Sequence, residues 1–250
     1  MKLSVVIPAH NEEGCIEDTV LNMLDLLKKE SIDSEILVVN DHSTDSTKDI
    51  LQRLTRRYPE VAFVDNGYSN GFGLAVRAGL DNFSGDAVAI VMADASDDPR
   101  DVVRFFRKLE EGYDCVFGSR FIKGGRTYDY PAFKLIMNRF ANFFIKIVFG
   151  MRYNDTTNAF KMYRRKTIAG LRPFLSHHFN LTVELPLKAI TRGYSYAVLP
   201  NSWTNRKSGE SKLKLKEMGS RYLFIVLYCL IEKWLSVGDY KKGRQSPLNP

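Results

Sequence analysis

Residues 86–99, DAVAIVMADASDDP, read as a buried strand that runs straight into Asp94, Asp97 and Asp98. The continuous apolar run at 87–92, rich in Val and Ile, suits a strand covered on both faces in a largely parallel sheet. Open α/β sheets place their ligands at the C-terminal end of such strands. Carboxylates crowded there repel one another and lose water, a cost that a bound cation offsets, and hard oxygen donors favour Mg²⁺ or Mn²⁺. The same residues also suit a helix start, with Ser96 or Asp97 as N-cap, Pro99 in the first turn and Asp101 complementing the helix dipole. The two readings are compatible.

Upstream, the pattern of strand, polar loop and helix repeats. Residues 3–7 form an apolar run ended by Pro8; His10, Asn11, Glu12 and Glu13 then lead into Ile16, Val20, Leu24 and Leu27 at helical spacing. Residues 35–39 and the loop NDHSTDST at 40–47 repeat it, with caps for a helix through Leu54. A third strand at 61–64 precedes SNGFGLAVRAG at 69–79, which opens another helix. This alternation argues for right-handed crossovers and a doubly wound sheet. Gly71 and Gly73 invite a dinucleotide-binding reading, but they follow the third strand, and PAHNEE after the first puts carboxylates where a pyrophosphate-binding glycine turn is needed.

Downstream lie an amphipathic helix to about residue 111, a strand at 113–120, a basic glycine-containing loop, and a helix at 133–149 that mixes Phe140, Phe143, Phe144 and Ile147 with Lys134, Arg139 and Lys146. That helix suits either a bilayer surface or the face of a sheet. NDTTNAFKMYRRK at 154–166 gives a polar turn and a short strand, followed by a helix at 180–192 holding Glu184 and a last strand at 194–199. The apolar run 222–231 has ten residues, too few for the roughly 20 a bilayer demands. Flanked by Lys212, Lys214, Lys216 and Arg221, it suits an interfacial or partner-docking helix.

With 44% hydrophobic and 26% charged residues the chain is of ordinary globular composition. Cys15, Cys115 and Cys229 are far apart, without spacing for a disulfide framework or zinc site, and fit a reducing compartment. The N-terminal apolar run is too short for a signal peptide. The formal charge of +7 divides into −9 for residues 1–100, +10 for 101–200 and +6 for 201–250. An acidic, metal-suited first part is an odd companion for a nucleic-acid backbone, so no nucleic acid is expected. A small anionic ligand or a membrane surface explains the basic part more economically.

Several spaced motifs coincide in one order over residues 1–215: VVIPAHNEE, VVNDHSTDST, GFGLAVRAG, VMADASDDP, GSRFIKGG, DTTNAFKMYRR, the Glu184 helix and RKSGESK. In these the chain resembles the dolichyl-phosphate mannosyltransferase-like branch of the family-2 inverting glycosyltransferases. The resemblance implies an α/β GT-A fold, a mostly parallel sheet flanked by helices. It further implies a single catalytic domain over residues 1–212, and the charge-flanked apolar run beyond it gives an amphipathic interfacial helix and polar tail over 213–250. Pro8, Asn11, Glu12, Asp41, Ala93 and Asp94 match positions that line the nucleotide-sugar pocket. Asp94 matches the last Asp of the metal motif, with Asp97 and Asp98 as further candidate ligands for Mg²⁺ or Mn²⁺. Arg120, Arg206 and Lys212 match positions near the phosphates of donor and acceptor. Met92 stands where the first metal-motif Asp is usual, Asn40 at the first position of a double Asp, and Lys161 where Arg is common; the Gln-x-x-Arg-Trp signature of processive synthases is missing after Glu184.

The expected reaction is transfer of a hexosyl group from a nucleoside diphosphate sugar, GDP-mannose or a UDP-sugar, to a polyprenyl or dolichyl phosphate. The enzyme is expected to be peripheral on the cytoplasmic membrane face, with a membrane subunit or a second copy of the chain as further partners. Two other readings stay open: transfer to a sugar or glycolipid hydroxyl, with Asp155 as base, and a non-catalytic nucleotide-sugar-binding membrane subunit. Asp94, Arg120 and Asp155 are the candidate catalytic residues.

Overall fold

A computed structural model describes residues 1–204 and 215–243. Three strand–helix units build the first half: β1 (Leu3–Ala9), α1 (Ile16–Lys29), β2 (Ser34–Asn40), α2 (Thr47–Arg57), β3 (Val61–Asp65) and α3 (Phe72–Asn82) lead into β4 (Ala87–Ile90). Then come α4 (Pro99–Glu110), β5 (Cys115–Ser119), β6 (Arg126–Tyr128), α5 (Ala132–Phe149), β7 (Lys161–Arg164) and α6 (Arg165–Gly170). The chain continues through α7 (Leu181–Thr191), β8 (Tyr196–Pro200) and β9 (Ser202–Thr204) to α8 (Leu215–Leu235).

The seven-stranded sheet has the order β3-β2-β1-β4-β7-β5-β8, and only β7 runs antiparallel to its neighbours. A strand covered on both faces needs apolar side chains on both, and all seven residues of β1 and all four of β4 are buried. Side chains from α1, α2 and α4 form the core on one face; α3, α7 and α8 fill the other, with Phe149 and Ile145 from α5.

Several boundaries differ from those expected. Pro8 lies inside β1 instead of ending it: the Asp41 amide donates to Ala9 and the Val91 amide to Val6, so even-numbered residues of β1 face β4. The β1–β4 register stops at Val6–Ile90, so the missing N–H of Pro8 costs no ladder bond. The central strand ends at Ile90, two residues early, because the Met92 amide turns to the Asp97 carboxylate. The N-cap of α4 is Asp98, two residues beyond Ser96 and one beyond Asp97, with Pro99 at the first helical position. Asp101 is buried beneath Arg104 and the Ser202 amide.

α8 is more than an appendage. Its Ile225, Val226 and Cys229 belong to the main core, and Arg192, the C-cap of α7, forms a buried ion pair with Glu232 at 2.7 Å. The other side of α8 leaves Leu223, Phe224, Leu227, Ile231 and Trp234 exposed, while Leu230 packs on the core. Among the described residues no helix is long and apolar enough to cross a membrane.

Candidate active site

Loops after β1, β2, β4 and β5 converge at the C-terminal end of the sheet, as strand polarity in an α/β fold dictates. Asn11, His42 and Ala95 follow β1, β2 and β4, and each takes a left-handed backbone at φ 54–55°. Non-glycine residues pay for that conformation, and it concentrates at functional loops.

The β1 and β2 loops are laced together. Asn11 Oδ1 accepts the Thr44 amide at 2.7 Å, the Glu12 amide donates to Thr47 Oγ1 at 2.9 Å, and Glu12 Oε2 accepts from Cys15 Sγ at 3.3 Å. Asp41 is buried, its Oδ1 accepting Asn66 Nδ2 at 2.7 Å and its Oδ2 the Gly71 amide at 3.0 Å. Its carboxylate thus ties the second loop to the start of α3. Gly73 sits there because a Cβ would fall 2.6 Å from the backbone of His177 and His178. The glycines of this segment admit a neighbouring loop.

The three carboxylates after β4 part ways. Asp94 Oδ1 accepts the Ser96 amide at 3.1 Å in an Asx-type turn, and the carbonyl of buried Ala93 accepts the Thr19 hydroxyl at 2.9 Å. Asp97 is 8% exposed and turns inward to the Met92 amide; burial, with the Asp94 charge adding, pushes its carboxyl up to about 7 against that bond. Asp98 caps α4 and pairs with Arg100 at 2.6 Å, which holds its carboxyl below the usual range. Among the described residues no three His, Cys, Asp or Glu side chains gather around a metal position. This donor set does not fit an all-protein cage. It fits a Mg²⁺ or Mn²⁺ ion carried mainly by substrate phosphates and water, with Asp94 as the protein carboxylate, since such ions commonly take one or two carboxylates.

Across from that loop, Arg120 follows β5 directly. Its Nε and Nη2 reach Asp155 at 2.8 and 2.7 Å, and its amide donates to the same carboxylate at 2.9 Å. Burial pulls the guanidinium pKa down, and Asp155 more than offsets that, raising it. Asp155 is fully buried, with both oxygens engaged by Arg120. Lys161, also buried, donates to the carbonyls of Thr156 and Asn158; burial drops its ammonium to about 7, although Asp155 and Asp97 favour the charge.

Asp94, Asp97, Arg120, Asp155 and Lys161 therefore form one electrostatic cluster. Asp98 stands apart with Arg100. Arg206 and Lys212 lie outside the described residues. Glu184 is a buried anchor, accepting the Leu175 and Ser176 amides and pairing with Lys188 at 2.6 Å. Tyr130 and Trp203, missed in the sequence, pack with tilted rings whose centroids lie 5.0 Å apart, and the Tyr130 ring lies 5.8 Å from the Arg120 guanidinium carbon. They come from distant segments brought together by the β6–β9 pair, which no local pattern announces.

Residues 4–171 match the family described as Glycosyl transferase family 2. The chain is 29% identical over 221 residues to a dolichol-phosphate mannosyltransferase of Pyrococcus furiosus, covering 86% of this chain and 60% of that one. It is 28% identical over 215 residues to a polyprenol monophosphomannose synthase of Mycolicibacterium smegmatis, covering 84% and 80%. Its fold matches that of glucosyl-3-phosphoglycerate synthase from Mycobacterium tuberculosis, solved with Mn²⁺, UDP-glucose and phosphoglyceric acid: TM-score 0.68, 19% identity, 93% of this chain and 79% of that one. The mostly parallel sheet, its flanking helices and this likeness make the fold GT-A. The chain belongs to glycosyltransferase family 2.

Proposed function

We propose that the protein transfers a hexosyl group, with inversion, from a nucleoside diphosphate sugar to a polyprenyl phosphate at the cytoplasmic face of a membrane. The observation that carries this reading is the Arg120–Asp155 pair. A hydroxyl acceptor needs a base to take its proton, and the carboxylate at hand, Asp155, is buried with both oxygens engaged by Arg120. A phosphate monoester, with a second pKa near 6, is ionised at neutral pH and needs none. Its oxygen attacks the anomeric carbon as the bond to the diphosphate breaks on the opposite side. The enzyme must align two anions and stabilise the one that leaves.

Arg120 suits that task. Asp155 fixes the plane of its guanidinium, and Nη1, which Asp155 does not engage, is the donor for a phosphate oxygen. Arg206 and Lys212 add charge in the same role. Pro8, Asn11, Glu12, Asp41 and Ala93 surround the nucleotide end, and Asp94 holds the divalent ion. That ion supplies charge neutralisation at the departing diphosphate. Asp97 and Asp98, engaged elsewhere, are not needed as ligands.

The names of the Pyrococcus and Mycolicibacterium relatives support a lipid phosphate acceptor. So does the surface: α5 exposes Phe133, Ile136, Phe140, Phe143 and Ile147, and α8 exposes its own apolar side. Lys233 of α8 donates to the Phe149 carbonyl at 2.8 Å, joining the two helices. Apolar patches of this kind beside basic residues suit an anionic bilayer surface.

The test is an assay of purified full-length protein with GDP- and UDP-sugars, Mn²⁺, and a short-chain isoprenyl phosphate or the matching isoprenol. A sugar phosphodiester from the phosphate alone is expected. Turnover of the isoprenol would shift the reading to a hydroxyl acceptor.

A further inference from the structure

Helix α5 leaves most of its large side chains in the open, yet Asn142 in its middle is 1% exposed. Its Oδ1 accepts the Thr156 amide at 2.6 Å and the Thr156 hydroxyl at 2.7 Å, and its Nδ2 donates to Thr157 Oγ1 at 3.0 Å. One helical turn earlier, Asn138 Oδ1 accepts from Asn142 Nδ2 at 2.7 Å and from Thr157 Oγ1 at 3.0 Å. These bonds pin the helix to the turn at 155–157, and the first residue of that turn grips Arg120. A second arm reaches the same guanidinium: Asn138 Nδ2 donates to the Tyr130 hydroxyl at 3.3 Å, and the Tyr130 ring lies 5.8 Å from the Arg120 carbon.

We infer that Asn142 is a positioning residue: it sets the turn that orients Asp155 and Arg120, and so transmits the seating of the α5 aromatic face to the phosphate-binding guanidinium. The inference rests on the proposed roles of Arg120 and of the membrane-facing helix. Buried polar networks of this kind hold one geometry when every member is satisfied and lose it when one is removed. Coupling is reciprocal, so whatever fixes α5 from outside also steadies the turn, and a loosened turn uncouples it. An enzyme with a lipid acceptor gains from this arrangement, because its phosphate clamp is steadied most where the acceptor resides.

The backbone supplies a reporter that needs no substrate. The Arg120 amide donates to Asp155, so its hydrogen exchange reads the clamp directly, and the adjacent Phe121 amide, on Ser119 Oγ at 3.2 Å, reads the loop that carries it. In full-length Asn142→Ala, exchange at 120–121 should rise at least tenfold, with residues 5–7 of the central sheet unchanged. Turnover with isoprenyl phosphate should fall at least tenfold, with the nucleotide-sugar KM within twofold. Thr156→Val should repeat the effect in smaller measure and Thr156→Ser should not; this pair decides the matter if Asn142→Ala does not fold. Phosphatidylglycerol-containing vesicles should slow exchange at 120–121 in the wild type and not in Asn142→Ala. Wild-type exchange at 120–121 in a folded Asn142→Ala protein overturns the positioning role, and vesicles that bind the wild type without changing that exchange overturn the transmission. Failure of the wild type to bind vesicles overturns the membrane reading and the transmission; the vesicle-free comparison still decides the positioning role.

Discussion

Asp155 closes on Arg120 with both carboxylate oxygens, and the same carboxylate receives the Arg120 backbone amide. A charge pair this deeply buried stands or falls together: removing one partner leaves the other desolvated and uncompensated, at a cost of about 3–5 kcal/mol. Asp155→Asn should therefore destabilise the fold by that amount in urea denaturation. It should also slow turnover, since the guanidinium loses its orientation. The pH–rate profile separates this role from that of a base. A positioning Asp155 leaves the acidic limb in place while the whole curve drops, whereas loss of that limb would mark Asp155 as the base.

The carboxylates after β4 give a second prediction. Asp94→Asn should weaken Mn²⁺-dependent nucleotide-sugar binding at least tenfold, read by calorimetry or thermal shift. Asp98→Asn should change it less than twofold, because Asn is as good an N-cap as Asp and only the exposed Arg100 pair is lost. Equal effects would mean that the loop acts as a structural unit.

Sheet and crossovers were legible because apolar runs of four to seven residues alternate with helical periods, and a continuous run such as 87–92 has no other stable home than a doubly covered strand. Pro8 misplaced a boundary: a proline normally breaks a ladder, and only the register shows that this one faces past the end of its neighbour. Antiparallel β7, slotted between β4 and β5, was beyond reach, since four residues carry no sign of which edge they join. Arg120 and Asp155 were each singled out, but their pairing spans 35 residues and two loops, and on that pairing rests the proposal that Asp155, a base only in the hydroxyl-acceptor alternative, positions Arg120. In α8 the apolar run was plain; that Ile225, Val226 and Cys229 point one way into the core became visible only with α7 beside them.

Lys161 yields a prediction about pH. Burial lowers its folded-state pKa to about 7, against 10.5 for the ordinary side chain. The unfolded chain therefore holds this proton across a window in which the folded protein has released it. Stability from this group rises with pH from about 7 towards 10.5, and below pH 7 the cost of a buried ammonium is at its full value. Lys161→Met removes the titration but orphans the carbonyls of Thr156 and Asn158. The variant should have lost little or no stability at pH 6, and its deficit relative to the wild type should widen by a few kcal/mol by pH 10. A difference that stays constant with pH would show that the lysine is charged throughout.

The proposed membrane surface gives the last prediction, and the core contacts of α8 decide how it is tested. Deleting residues 213–250 would strip Ile225, Val226 and Cys229 from the core and leave Arg192 without Glu232, so the truncated chain is expected to unfold instead of merely detaching. Exposed side chains can be changed without that damage. Phe140 and Phe143 on α5, at 67% and 61% exposure, and Leu223 and Trp234 on α8, at 53% and 65%, contribute little to the folded monomer. Entering an interface, each would remove apolar surface from water worth about 1 kcal/mol or more. Replacing all four by Ser should thus weaken sedimentation with anionic vesicles roughly a thousandfold, at about 1.4 kcal/mol per factor of ten. The melting temperature and nucleotide-sugar affinity should stay near wild type. Raising salt should weaken wild-type binding further, as basic residues near an anionic surface are screened. Unchanged sedimentation of the quadruple variant would assign these two apolar faces to a protein partner.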